Sequence, residues 1–315
     1  MRICRFLKNS QPSFGYYYDD TVVPLSDASG AYKAKAGRDA DLSATEIMEL
    51  LPGGAKADVA HAVSAWLDAN PAEKQALSVP VDGITLQSPI PSPGKILLLA
   101  GNYVEHIKEG GEAEVEREET FPYVFMKPVT TVNHPNAPVL IPRVSPDHID
   151  YECELAVVIG KTCKHANEGN ALDFVAGYTV VNDISDRVYR PFPNRKKRER
   201  DPFFDWLHGK WHDGFCPIGP CVTSAKAIPD PQTLGLKLTV NGEIRQNALT
   251  AQMVFPVAAV IAFITQSVTL HAGDIISTGT PSGVAMATGR YLKNGDVIEA
   301  SVDGIGTLRN TMGKE

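Results

Sequence analysis

The sequence predicts a β-rich α+β protein made of two unequal domains, and three observations carry that prediction. Short apolar runs bounded by Gly, Pro, Asn and Asp recur along the chain, the pattern of strands separated by tight turns. These runs do not alternate regularly with helical stretches, which argues against a doubly wound parallel sheet. The stretch SPIPSPG at residues 88–94 is dense enough in Pro and Gly to mark a boundary. It divides the 315 residues into an N-terminal α+β domain, 1–90, and a larger domain, 91–315.

Taken in order, RICRFL and YYYDDTVVPLSD read as short strands. Helix is expected over residues 44–51 and again over 56–70, where Val59, Ala62, Val63 and Trp66 recur at helical spacing. KILLLAGNY reads as a buried strand running into a helix that starts at Asn102, and FPYVFMKP and APVLIP as further strands. DFVAGYTVVNDISDR is an apolar strand that ends in acids. LGLKLTVNGEIRQNA carries Asn241-Gly242, a favoured type I′ hairpin pair, and residues 255–266 form the best later helix. Two strand-rich stretches, GDIISTGTPSGVA and NGDVIEASVDGIGTLRN, close the chain.

Bulk properties exclude several classes. With 43% hydrophobic and 21% charged residues the composition is that of a globular protein. A net charge of −7 argues against nucleic acid or an anionic membrane as partner. The basic run Arg195–Lys196–Lys197–Arg198–Glu199–Arg200 is expected to be a solvated loop or helix face, with a patch that attracts an anionic substrate as the alternative. No apolar stretch is long enough to span a bilayer, and the first residues show no signal pattern. Five cysteines without a C-x-x-C pair fit buried thiols in a reducing cytoplasm rather than disulfides or a Cys metal site.

DYECELAVVIG, residues 150–160, poses the chemical question. Glu152 and Glu154 stand at the mouth of an apolar strand, and positions i and i+2 project from the same face. Two adjacent buried carboxylates are costly unless neutralised. A divalent cation would neutralise both, and Asp183, at the end of the next apolar strand, would supply a third oxygen ligand. Three carboxylates without a His or Cys partner favour Mg²⁺ or Mn²⁺ over Zn²⁺. From the doublet alone, an exposed pair matched by lysines is an equal reading.

GNYVEHIKEGG places His106 and Glu109 at i and i+3 of a short helix, where a carboxylate can fix the imidazole tautomer and strengthen it as a base. An ordinary surface ion pair is the alternative. Gly110-Gly111, followed by a Glu-rich run, would let that helix move as a lid. STGTPSGVA is a loop able to present N–H and hydroxyl donors to an anion, although a plain turn has the same composition.

Taken together, GNYVEHIKEGG, PYVFMKP, DYECELAVVIGK, GYTVVNDISDR, GKWHDGFCPIGP, VNGEIRQNALTAQMVF and GDIISTGTPSGVA resemble, in order, the fumarylacetoacetate hydrolase family over residues 95–306. The resemblance implies a mixed β-sheet roll as catalytic domain, preceded by the smaller N-terminal domain of bacterial members, usually in a homodimer. It implies Glu152, Glu154 and Asp183 as ligands of Mg²⁺ or Mn²⁺, and His106 with Glu109 as the dyad that activates water. It also implies Lys210 beside the metal, and Arg187 and Thr280 against substrate; the role of Lys127 stays open. Asp186 replaces a usual small residue, Val188 a usual Asp, and Cys153 a common glycine. The segment YRPFPNRKKRERDPFFDW is longer and more basic than in short members, and is placed to shape the distal pocket.

The resemblance further implies a small 2-oxo acid as substrate, and the leading expected reaction is metal-dependent hydrolysis of a C–C bond in an acylpyruvate or related 2,4-dioxo acid. Oxaloacetate-type decarboxylation and keto–enol isomerisation would use the same parts. A catalytically dead, metal-binding scaffold would need a lost ligand or dyad residue, and none is lost.

Overall fold

The structure is a computed structural model and describes residues 1–111, 117–189 and 191–315. Among the described residues the dominant element is a mixed twelve-stranded sheet. Its middle runs in the spatial order Arg2–Lys8, Cys216–Ser224, Val175–Asn182, Cys153–Ile159, Ile275–Ser277, Ile96–Ala100, Tyr123–Met126. Most neighbours are antiparallel, but Ile275–Ser277 runs parallel to Ile96–Ala100. The two central strands, Cys153–Ile159 and Val175–Asn182, are buried at every position. That is why they read as continuous apolar runs rather than as alternating ones.

Alternation instead divides the side chains between two cores. Leu155, Val157 and Ile159 point to one, shared with Leu236, Leu238, Ile298 and Ala300 of a second sheet of five strands. Ala156 and Val158 point to the other, shared with Val63, Leu67, Ile96 and Leu98. Each fully buried Leu, Ile or Val contributes about 1.5–3 kcal/mol, so the strand carrying the carboxylates is anchored on both faces.

The first ninety residues continue this architecture. Arg2–Lys8 pairs antiparallel with Cys216–Ser224, Ile3 opposite Val222. Helix Ala57–Ala69 lays Ala60, Val63 and Leu67 into the second core. Two local readings differ from expectation. Leu25–Ala36 is helical, although Leu25–Asp27 read as the end of a strand and no element is expected over the residues after them; its Ser, Asp and Gly residues favour turns, and burial of Leu25, Ala28 and Tyr32 overrides them. Residues 44–51 form only a short 3₁₀ turn, Ile47–Leu50. The Asn241-Gly242 hairpin is present, both residues at positive φ, 53° and 80°. All five cysteines are buried and free.

Candidate metal centre and active site

Strand register assembles the acids. Cys153 pairs with Asn182 across the two central strands. Glu152 just before one and Asp183 just after the other therefore meet, with the Asp183 N–H donating to the Glu152 carbonyl at 2.9 Å. Glu154 is brought in from the strand itself. Carboxylate oxygens of Glu152, Glu154 and Asp183 lie within 4.8 Å of one another, and all three residues are buried. The exposed reading of the doublet is thereby replaced by a buried cluster, in which a lysine nevertheless meets Glu152.

Three cations reach this cluster. Lys210 Nζ donates to Glu152 Oε2 and Asp183 Oδ2, both at 2.6 Å. Lys127 Nζ donates to Asp183 Oδ1 at 2.6 Å and to the Phe215 and Ile184 carbonyls at 2.6 and 3.0 Å. Arg187 bonds Glu152 and, through Nε, Asp150 at 2.8 Å. Burial alone would raise the Glu152 carboxyl, but Lys210, Arg187 and His106 outweigh it and hold it well below the usual range. For Lys210, too, burial is outweighed, here by Asp183 and Glu152, and the ammonium is held above its ordinary value.

Glu154 has no such partner among the described residues. It accepts from the Ser277 hydroxyl at 2.5 Å and the Gly279 N–H at 2.9 Å, both neutral donors. Burial, then Asp183 and Glu152, push its carboxyl well above the ordinary carboxylate value. Counting Asp150, the cluster sets four acids against three cations, and the unmatched acid is Glu154. A hard divalent cation with oxygen ligands removes that mismatch, so the residues fit Mg²⁺ or Mn²⁺.

The loop after Ile275–Ser277 ties the remaining parts together. Gly279 sits at φ +88°, and a Cβ there would lie 2.9 Å from Asn102 Cβ, so the close approach needs glycine. The helix expected to start at Asn102 begins at Val104, and the Asn102 amide instead bridges Phe255 and Thr278. Thr280 Oγ1 donates to the Cys153 carbonyl at 3.1 Å and accepts from Gln246 Nε2 at 2.8 Å. Gln246 Oε1 in turn accepts from the Cys153 N–H at 2.9 Å. Further along, the N–H groups of Ala285 and Met286 donate to Asp150 at 2.6 and 3.0 Å.

The helix Val104–Glu109 lies against the same loop. His106 Nδ1 is 3.3 Å from Glu109 Oε2, and the Gly283 N–H donates to both Glu109 oxygens at 3.0 and 3.2 Å. The dyad side chains are only 17% and 19% exposed, unlike a surface ion pair. Gly110 and Gly111 end the helix, and most of the Glu-rich run that follows, 112–116, lies outside the described residues.

All eight residues singled out from the sequence thus converge, with Arg187 and Thr280 already engaged by protein partners. Asp150, Gln246, Ser277 and Gly283 were not singled out. A signal existed for Asp150: Asp150, Glu152 and Glu154 form one period-2 series of acids. Gln246 is a polar residue at an inward position of a hairpin strand, which only the fold reveals. The unusual Asp186 is absorbed locally by Ser145 Oγ at 2.9 Å, the Val188 N–H at 3.1 Å and His212 at 3.3 Å. Cys153 faces the first core, away from the carboxylates.

The mixed sheet and the loop after it bring together three buried acids, two lysines and a His–Glu dyad, a group in which the acids could hold a metal ion. The chain belongs to the fumarylacetoacetate hydrolase family: the family model described as fumarylacetoacetate (FAA) hydrolase C-terminal matches residues 95–313. A second, described as Rv2993c-like N-terminal, matches residues 1–42. The chain is 36% identical over 312 residues to 2,4-didehydro-3-deoxy-L-rhamnonate hydrolase of Sphingomonas sp. (strain SKA58), covering 98% of this chain and 95% of that protein. It is 40% identical over 229 residues to the mitochondrial oxaloacetate tautomerase fahd2 of Xenopus laevis, covering 72% and 68%. Maleylpyruvate hydrolase of Sphingobium sp. SYK-6, crystallised with manganese(II) and pyruvate, superposes with a TM-score of 0.69 at 29% identity, covering 100% of this chain and 99% of that one. No helix among the described residues is long and apolar enough to cross a membrane.

Proposed function

We propose that the protein is a divalent-metal-dependent hydrolase that cleaves a C–C bond of an acylpyruvate or related 2,4-dioxo acid, releasing pyruvate or a similar 2-oxo acid. The observation that carries this reading is the buried Glu152–Glu154–Asp183 cluster, left one cation short, with the Glu109-held His106 beside it. Glu152, Glu154 and Asp183 would hold Mg²⁺ or Mn²⁺, which would supply Lewis acidity toward the 2-oxo acid end of the substrate.

The chain's own groups do the rest. Glu109, fixed by Gly283, accepts from His106 Nδ1–H and leaves Nε2 to take a proton from water. Hydroxide attack on the distal carbonyl and rupture of the adjacent C–C bond leave a carboxylic acid and the enolate of pyruvate. Lys210, a buried ammonium at the cluster, faces the charge that develops on that enolate. Return of the proton that His106 Nε2 took from water to the enolate carbon completes pyruvate and restores the neutral imidazole.

A second reading, oxaloacetate keto–enol tautomerisation, is favoured by the likeness to fahd2. It needs the same acids and Lys210 but no attacking water. The test is acetylpyruvate incubated with the enzyme, with chelator and after Mg²⁺ or Mn²⁺ readdition. The proposal expects acetate and pyruvate in equal amounts, lost with chelator and regained with metal. No acetate, together with metal-dependent decay of enol-oxaloacetate, selects the second reading.

A further inference from the structure

Both lysines that reach the carboxylates come with an aromatic neighbour. The strand Tyr123–Met126 runs straight into Lys127, so Phe125 and Lys127 stand at i and i+2 and project from one face. Trp206, in the helix Asp201–His208, precedes Lys210 by four residues. The two rings meet edge to face, with centroids 4.9 Å apart and planes at 67°. The Lys210 ammonium lies over both, 5.4 Å from the Phe125 centroid and 6.0 Å from that of Trp206. Phe203 continues the row outward, 5.9 Å from Trp206 and 56% exposed.

The lysines are buried while Phe125 and Trp206 are only half-buried. The rings therefore form a wall that starts at the metal-centre lysine and opens to solvent. Two of the cations beside this helix are held by its own acids: Arg195 by Asp201 and Asp205 at 3.1 and 2.6 Å, and Arg198 by Asp201 at 3.0 Å. The helix thus meets an incoming group with apolar rings and paired charges, a poor receptor for a second carboxylate and a good one for apolar surface.

We infer that Phe125, Trp206 and Phe203 form the pocket for the acyl end of the substrate, and that this end is uncharged and apolar, an alkyl or aryl group. This rests on the 2,4-dioxo acid reading for the position of the acyl end, but the pocket itself can be probed without turnover. The experiment compares benzoylpyruvate, acetylpyruvate and succinylpyruvate as substrates of the Mg²⁺-loaded protein. It also titrates phenylpyruvate and pyruvate calorimetrically, each with wild type, Trp206→Ala and Trp206→Phe.

Wild type is expected to prefer benzoylpyruvate over acetylpyruvate by about tenfold in kcat/KM, an effect of the size of one aromatic pair plus its buried area, and to disfavour succinylpyruvate. Trp206→Ala erases the preference and Trp206→Phe keeps most of it. Turnover of acetylpyruvate with no benzoyl preference in wild type, or a preference that survives Trp206→Ala, overturns the pocket and leaves the hydrolase reading standing. If no dioxo acid is cleaved, yet phenylpyruvate binds about tenfold more tightly than pyruvate in a Trp206-dependent way, the pocket stands and the hydrolase reading falls. A preference for succinylpyruvate overturns the apolar assignment.

Discussion

Glu154 and Glu109 are both held by backbone N–H groups of one glycine-rich loop, Gly279 for the first and Gly283 for the second. Beyond that the two regions differ. Glu154 extends from a strand buried on both faces, and its residue is 1% exposed. Glu109 ends a helix of six residues, is 19% exposed and depends on the Gly283 contact to stay docked. A metal floor must keep its geometry before any ligand arrives, because its acids repel one another. On the function proposed above, a water-activating arm needs its position only once substrate is bound, so a short helix whose Glu109 is held by the Gly283 N–H suffices.

The largest effect that tests this contrast is Lys127→Met. It strips Asp183 and two buried carbonyls of a common donor, and breaking a buried pair costs about 3–5 kcal/mol. Urea unfolding in the presence of chelator measures it; a loss under about 1 kcal/mol would mean that the floor tolerates rearrangement. Asp150→Asn comes next. It weakens both the Arg187 contact and the Ala285 and Met286 anchors, so metal affinity or activity falls by about 10–100-fold, with the fold intact by circular dichroism.

Gly283→Ala probes the arm. The residue sits at φ +101° and its new Cβ would fall 2.1 Å from the Arg245 carbonyl, so the substitution costs about 1–2 kcal/mol in backbone strain and shifts the N–H away from Glu109. Lowered kcat with metal binding retained is the expected signature. The smallest effect is in pH. Because the free Glu154 carboxyl is raised, it carries a proton below its shifted value and must lose it to bind a cation. Metal affinity therefore rises with pH through that value, and calorimetry in two buffers of different ionisation enthalpy reads proton release on binding.

The same contrast explains how much was legible beforehand. The floor was readable because a buried strand cannot hide its exceptions: Glu152 and Glu154 interrupt an apolar run, and Asp183 ends another. The dyad was visible through i,i+3 spacing. What holds these groups was less visible, since Gln246 reaches Cys153 and Thr280 across two sheets, and Gly283 meets Glu109 across 174 positions. Such contacts depend on register and topology, which no local pattern encodes. The helix Leu25–Ala36 escaped for a related reason: its residues favour turns, and burial against the sheet decided otherwise.

The most direct test of a rigid floor with a separable arm is Mn²⁺ titration calorimetry paired with acetylpyruvate hydrolysis, on wild type, Glu154→Gln and His106→Ala. The account predicts that Glu154→Gln loses both metal binding and hydrolysis. His106→Ala binds Mn²⁺ like wild type while hydrolysis falls by about 10²–10⁴. Hydrolysis at the wild-type rate in His106→Ala, or undiminished Mn²⁺ affinity in Glu154→Gln, would contradict it.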